Sequence, residues 1–224
     1  MRTIPFIPAR RGQARASFTL RLARARLCWL LALPGLLTGC LSRPALVHQS
    51  FALQAPSLSK PADAASQGVL ALRTVQVSPL FDDRAFVYRL GPDLYQADPY
   101  AGFRADPGRA LGIAIRSALR SSGVFQDVTD PGSEVPADLA LEVYANELYG
   151  DFRGAGQLAA VLSLRFVLFN EGGTGQKVLL QREYSQRVPL KEQTAAALVA
   201  GWNQALNQIL SAAARDLAAA RSGR

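Results

Sequence analysis

Leu158, Ala160, Leu162, Leu164, Phe166 and Leu168 are six apolar side chains spaced two apart. An unbroken period of two commits that stretch to a β-strand with one buried face. Leu139, Leu141, Val143 and Ala145 alternate in the same way before it, and Val178, Leu180 and Tyr184 after it. "NEGGTG", Asn170 to Gly175, supplies glycines for a hairpin between the last two runs. Three successive strands joined by short links predict a meander.

Two helices bracket the meander. Asp106 suits an N-cap, Pro107 a first turn and Gly123 a helix end, with Leu111, Ile115, Ala118 and Leu119 as the apolar stripe between them. From about Lys191, the residues Leu198, Trp202, Leu206, Ile209, Ala213 and Leu217 recur at helical spacing, opposite Asn203, Gln204, Gln208 and Arg215. Upstream, Val47 to Gln54 reads as a first strand, followed by a Pro, Ser and Ala loop from Pro56 to Gln67. Val69–Val77, apolar on both faces, reads as an interior strand, and Ala85 to Leu90 as another. The expected fold is α+β: a sandwich of a mixed, mainly antiparallel sheet with two principal helices on one face.

The first 39 residues stand apart. Arg2, Arg10, Arg11, Arg15, Arg21, Arg24 and Arg26 form a cationic leader without an acidic residue, and an apolar stretch follows from Leu27. This is the pattern of a signal peptide, and the run is short for a permanent span. The Arg10-Arg11 pair is followed by Gly12-Gln13-Ala14 with the apolar run far downstream, which argues against a twin-arginine signal. Leu37-Thr38-Gly39-Cys40 resembles a bacterial lipobox, in which the Cys thiol takes a diacylglyceryl group. The expected layout is a signal peptide over 1–39, a lipidated N-terminus and tether over 40–46, and a folded domain over 47–221.

Seven of the 25 basic residues and none of the 17 acidic ones precede Cys40, so the remainder holds 18 against 17, a net of +1. The basicity belongs to export and gives no reason to invoke nucleic acid. Cys28 lies in the leader and Cys40 is the lipidation candidate, so no disulfide is expected.

Catalytic chemistry finds little footing. His48 is the one imidazole, with no nucleophile beside it in sequence, and no G-x-S-x-G elbow occurs. A zinc site would have to be built largely from carboxylates, so no metal and no cofactor is expected. Asp82-Asp83 suits a turn and Asp106 a cap, which leaves the pairing of Asp98 with Asp106 weak as an acid and base. "GAGQLAA", Gly154 to Ala160, lacks the third glycine of a dinucleotide loop. Aromatic residues gather instead: Tyr88, Tyr95, Tyr100 and Phe103 before the first helix, and Tyr144, Tyr149 and Phe152 at the end of a later strand. They either fill the core edge or form a partner-binding patch, for which Tyr95, Tyr100 and Phe103 are the candidates.

The order of "FVYRLGPDLYQADPYAGFRADPGRALGIAIRSALRSSGVFQDV" and "ADLALEVYANELYGDFRGAGQLAAVLSLRFVLFN" is similar to the auxiliary lipoproteins of ABC-type transport systems, a family that also holds the paraquat-inducible lipoprotein C. The matching points are Tyr88-Arg89, "DPY" before the capped helix, "SSGVF" at its end and "ELYGDF" closing the next strand. The resemblance implies a non-catalytic accessory protein in a Gram-negative envelope. It would work beside a permease, an ATPase and an MCE-domain protein that move phospholipids or related lipids between the membranes. Leu41 stands where an Asp holds many lipoproteins in the inner membrane, so the anchor is expected in the outer one. Two other readings stay open on the residues: an activator or structural component of cell-wall assembly, and a carboxylate-based envelope hydrolase. Self-association is left open too.

Overall fold

The computed structural model describes residues 48–59, 66, 68–154, 156–171 and 177–222. The leader and Cys40 lie outside them. Eight strands form one mixed sheet: β1 (Gln49–Phe51), β2 (Val69–Val77), β3 (Ala85–Arg89), β4 (Tyr95–Phe103), β5 (Asp127–Thr129), β6 (Leu139–Asp151), β7 (Ala159–Asn170) and β8 (Lys177–Pro189). Two helices, α1 (Pro107–Ser121) and α2 (Ala195–Ser222), pack on it, α1 against β2 and β5 and α2 against β7 and β8. The architecture is the expected α+β sandwich with its helices on one side.

Strand β6 organises the sheet. The whole of one edge pairs antiparallel with β7, which pairs antiparallel with β8. The other edge is shared: β2 runs parallel to its first half, Leu70 to Val77 opposite Leu139 to Ala145, and β3 runs parallel to its end, Tyr88 and Arg89 opposite Gly150 and Asp151. The expected meander is therefore β6–β7–β8, and the sheet continues sideways through β3, β4 and β1.

The helices begin where their chemistry permits. Asp106 Oδ1 accepts the amide of Arg109 at 3.1 Å, Pro107 takes the first position, and Gly123 follows the helix at φ 63°. These three features fix α1. α2 starts at Ala195 rather than near Lys191, because Thr194 Oγ1 caps the amide of Ala197 at 3.1 Å and leaves 191–194 as a bend. All six residues of its predicted stripe are fully buried. The Trp202 indole N–H donates to Val161 O at 3.1 Å, and Phe86 meets the ring edge-on at 5.0 Å. On the outer strand, Arg182 and the Tyr184 hydroxyl both reach Asp216 of α2 at 2.6 Å, which ties β8 to the helix.

One predicted element changes and two strands are added. The first strand shrinks to Gln49–Phe51, since β4 opposes it at only three residues, and Val47 lies outside the described part. The stretch between β3 and α1 is no mere connection but the nine-residue β4. β5, three residues long, closes the far edge beside β2.

Candidate functional site

All three nominated aromatic residues sit on β4, in different surroundings. The ring of Phe103 is 4% exposed; it lies 5.3 Å from Trp202 in a stacked arrangement and 4.8 Å from Phe86 edge-on, so it belongs to the core. Tyr95 is half-buried between Phe81 at 5.9 Å and Tyr149 at 5.6 Å, with the Arg89 guanidinium over its ring at 5.5 Å. Tyr100 is 49% exposed. Of the candidate patch, Tyr100 alone is exposed.

Tyr100 owes that position to an irregularity in β4. Between Ala97 and Gly102 the strand carries Asp98, Pro99, Tyr100 and Ala101, where β3 has only Phe86. The extra residues leave the ladder as a bulge. Asp98 holds the bulge from within: Oδ1 accepts the amides of Tyr100 at 2.7 Å and Ala101 at 3.1 Å, and Oδ2 accepts the Tyr88 hydroxyl at 2.7 Å. Burial, reinforced by this carboxylate, pushes the Tyr88 hydroxyl well above the usual tyrosine range. It stays a donor at any physiological pH. Phe152 stacks on the Tyr88 ring at 4.8 Å, and beside the pair a shallow cleft of about 340 Å³ opens between Gln96, Asp98 and Gln193.

The carboxylates considered as acid and base have structural partners or lie in the open. Asp98 anchors the bulge, Asp106 caps α1, and Asp82 and Asp83 are exposed in the turn before β3. His48 is exposed just before β1. Among the described residues no three His, Cys, Asp or Glu side chains are grouped to hold a metal ion. "GAGQLAA" links β6 to β7.

One cluster escaped the sequence reading. The Asp151 side chain is 2% exposed and accepts Arg153 Nε at 2.9 Å, Arg153 Nη2 at 2.7 Å and Arg187 Nη1 at 2.5 Å. The Arg153 hydrogen bonds, helped by Arg187, hold its carboxyl well below the usual carboxylate range despite burial. Arg187 also donates to Gln157 O at 3.2 Å, so the cluster pins the β6–β7 loop to β8. With both guanidinium groups committed to one carboxylate, it is a structural clamp.

The described residues form an α+β domain in which Asp98 holds a bulge, Asp106 caps a helix and Asp151 anchors a clamp. The sequence model of the ABC-type transport auxiliary lipoprotein component matches residues 51–214, and the chain belongs to that family. It is thus an auxiliary lipoprotein of ABC-type transport and a protein of the cell envelope. The structure resembles protein XCC0632 from Xanthomonas campestris, of the DUF330 family, with a TM-score of 0.69 at 19% identity over 78% of this chain and 98% of that one. It also resembles an uncharacterized protein, with a TM-score of 0.59 at 16% identity over 76% and 99% of the two chains. At these identities the likeness is one of fold. A comparison with curated proteins finds no match. No helix among the described residues is long and apolar enough to cross a membrane.

Proposed function

We propose that Cys40 is the acylated first residue of the mature protein and holds the domain of residues 47–221 at the periplasmic face of the outer membrane. There it serves as a non-catalytic accessory of an MCE-type ABC transport system that moves phospholipids or related lipids between the membranes. The family match over residues 51–214 carries this reading. The leader and lipobox support the anchor, and the structural engagement of Asp98, Asp106 and Asp151 supports a role without hydrolysis. The partners are an MCE-domain protein and its permease and ATPase, which supplies the energy.

Two measurements test the reading together. Mass spectrometry of the membrane fraction should find Cys40 as an acylated N-terminus, and Cys40→Ser should abolish firm membrane association, because two or more acyl chains anchor stably. The tagged lipoprotein should co-purify with the MCE protein. An unmodified N-terminus, failure to co-purify, or turnover of an envelope lipid by the purified protein alone counts against it.

A further inference from the structure

The geometry points to a membrane-contacting end of the domain, formed by Leu80, Leu94 and Tyr100, that rests on the bilayer holding the anchor. This inference rests on the acylation of Cys40 proposed above and adds an orientation to it. β1 runs parallel to β4 with Gln49 opposite Ala101, so the chain before Gln49 arrives from the side of the bulge and the β3–β4 hairpin. Nine Cα steps separate Cys40 from Gln49, a reach of about 30 Å at full extension. The register places Ala101 near the level of Phe86, three residues short of the end of β3, so the hairpin end lies about 10 Å away. A bilayer on that side is within easy reach.

The opposite end is not. Tyr88 lies level with Gly150, which sets Phe86 level with Leu148, and the start of β6 at Leu139 is nine residues further down. That is about 30 Å, and the tether would have to reverse direction before covering it. Contact by that end would demand a fully stretched chain with no length left for the turn.

Three of the six large apolar side chains exposed among the described residues lie at this end; the others, Ile113, Val135 and Val178, are spread over α1, the approach to β6 and the start of β8. Leu94, 58% exposed, stands at the hairpin that leads into β4, and Tyr100 stands on the bulge. Leu80, 67% exposed, belongs to the loop whose Phe81 packs on Tyr95. Apolar groups at the rim of a lipid-anchored domain gain contact with the acyl boundary, and a tyrosine suits the headgroup level. Val135, 54% exposed, lies just before β6 at the far end and serves as the contrast.

The test uses the full lipidated protein in vesicles of phosphatidylethanolamine and phosphatidylglycerol carrying doxyl-labelled acyl chains. Leu94→Trp and Val135→Trp are compared against the wild-type background, in which Trp202 is fully buried. The added Trp of Leu94→Trp should lose roughly half its fluorescence to a quencher at the acyl boundary, and that of Val135→Trp should lose none. Quenching of Val135→Trp, or of neither variant while both float with the vesicles, overturns the orientation. Cys40→Ser separates the two readings: if it floats like the wild type, the anchor fails and the orientation falls with it. If it is released and Leu94→Trp is unquenched in the anchored protein, the orientation alone fails.

Discussion

Asp151 carries the sharpest residue-scale test. Its carboxylate is buried and accepts hydrogen bonds from two guanidinium groups, each nearly half exposed. Removing one member of a fully buried pair costs about 3 to 5 kcal/mol, and solvent around both arginines reduces that here to about 1 to 3 kcal/mol for Asp151→Asn. The folded carboxyl titrates below its unfolded value. Its stabilisation is therefore complete above the unfolded value of about 4 and is lost as pH falls towards the folded one. Urea midpoints of wild type and Asp151→Asn should differ clearly at pH 7 and converge below about pH 4; a constant gap would show that the loss is steric. The clamp was invisible in the sequence because Arg187 lies 36 residues from Asp151 and nothing local announces their meeting. Asp106, by contrast, was legible as a cap, since its partner is three residues away.

At the scale of elements, two helical glycines answer the same substitution in opposite ways. A Cβ at Gly201 of α2 would sit 2.6 Å from Ala160 Cβ on β7 and 2.7 Å from Leu190. The leucine end can turn aside, but the strand cannot. Overpacking of that kind costs about 1 to 3 kcal/mol and outweighs the gain of about 1 kcal/mol from replacing a helical Gly by Ala. At Gly112 of α1 the new Cβ would find Val75 Cγ2 at 3.6 Å, an ordinary contact, so the helical gain of up to about 1 kcal/mol survives. Gly201→Ala should lower the melting temperature and Gly112→Ala should hold or raise it. Equal shifts would show that α2 does not approach β7 so closely. The elements themselves were readable where periodicity ran long, as in β7 and the α2 stripe. β4 was not, because Asp98, Pro99 and Gly102 interrupt its alternation and its bulge turns Tyr100 out of phase. β5 is too short to show any period.

For the whole molecule, the sequence pattern supplied the class of fold and the meander, while the placement of β2 and β3 end to end along one edge of β6 arises from pairings that no local period encodes. That placement decides which way β1 runs, and so where the tether leaves. Its consequence can be tested by lengthening the tether with 20 Gly and Ser residues after Leu41. Burying the exposed parts of Leu80, Leu94 and Tyr100 is worth about 3 to 5 kcal/mol, an association constant of about 150 to 5,000 per molar. Raising the tether from nine Cα steps to 29 cuts the effective concentration about sixfold, towards the millimolar range, and lowers the bound fraction with it. The short tether adds to what the patch supplies. The lengthened protein should float with vesicles as before, while quenching of its Leu94→Trp variant falls below that of the same variant on the short tether. Undiminished quenching would show that the patch grips the bilayer by its own affinity, and the orientation would then be a property of that surface rather than of the eight residues between Cys40 and Gln49.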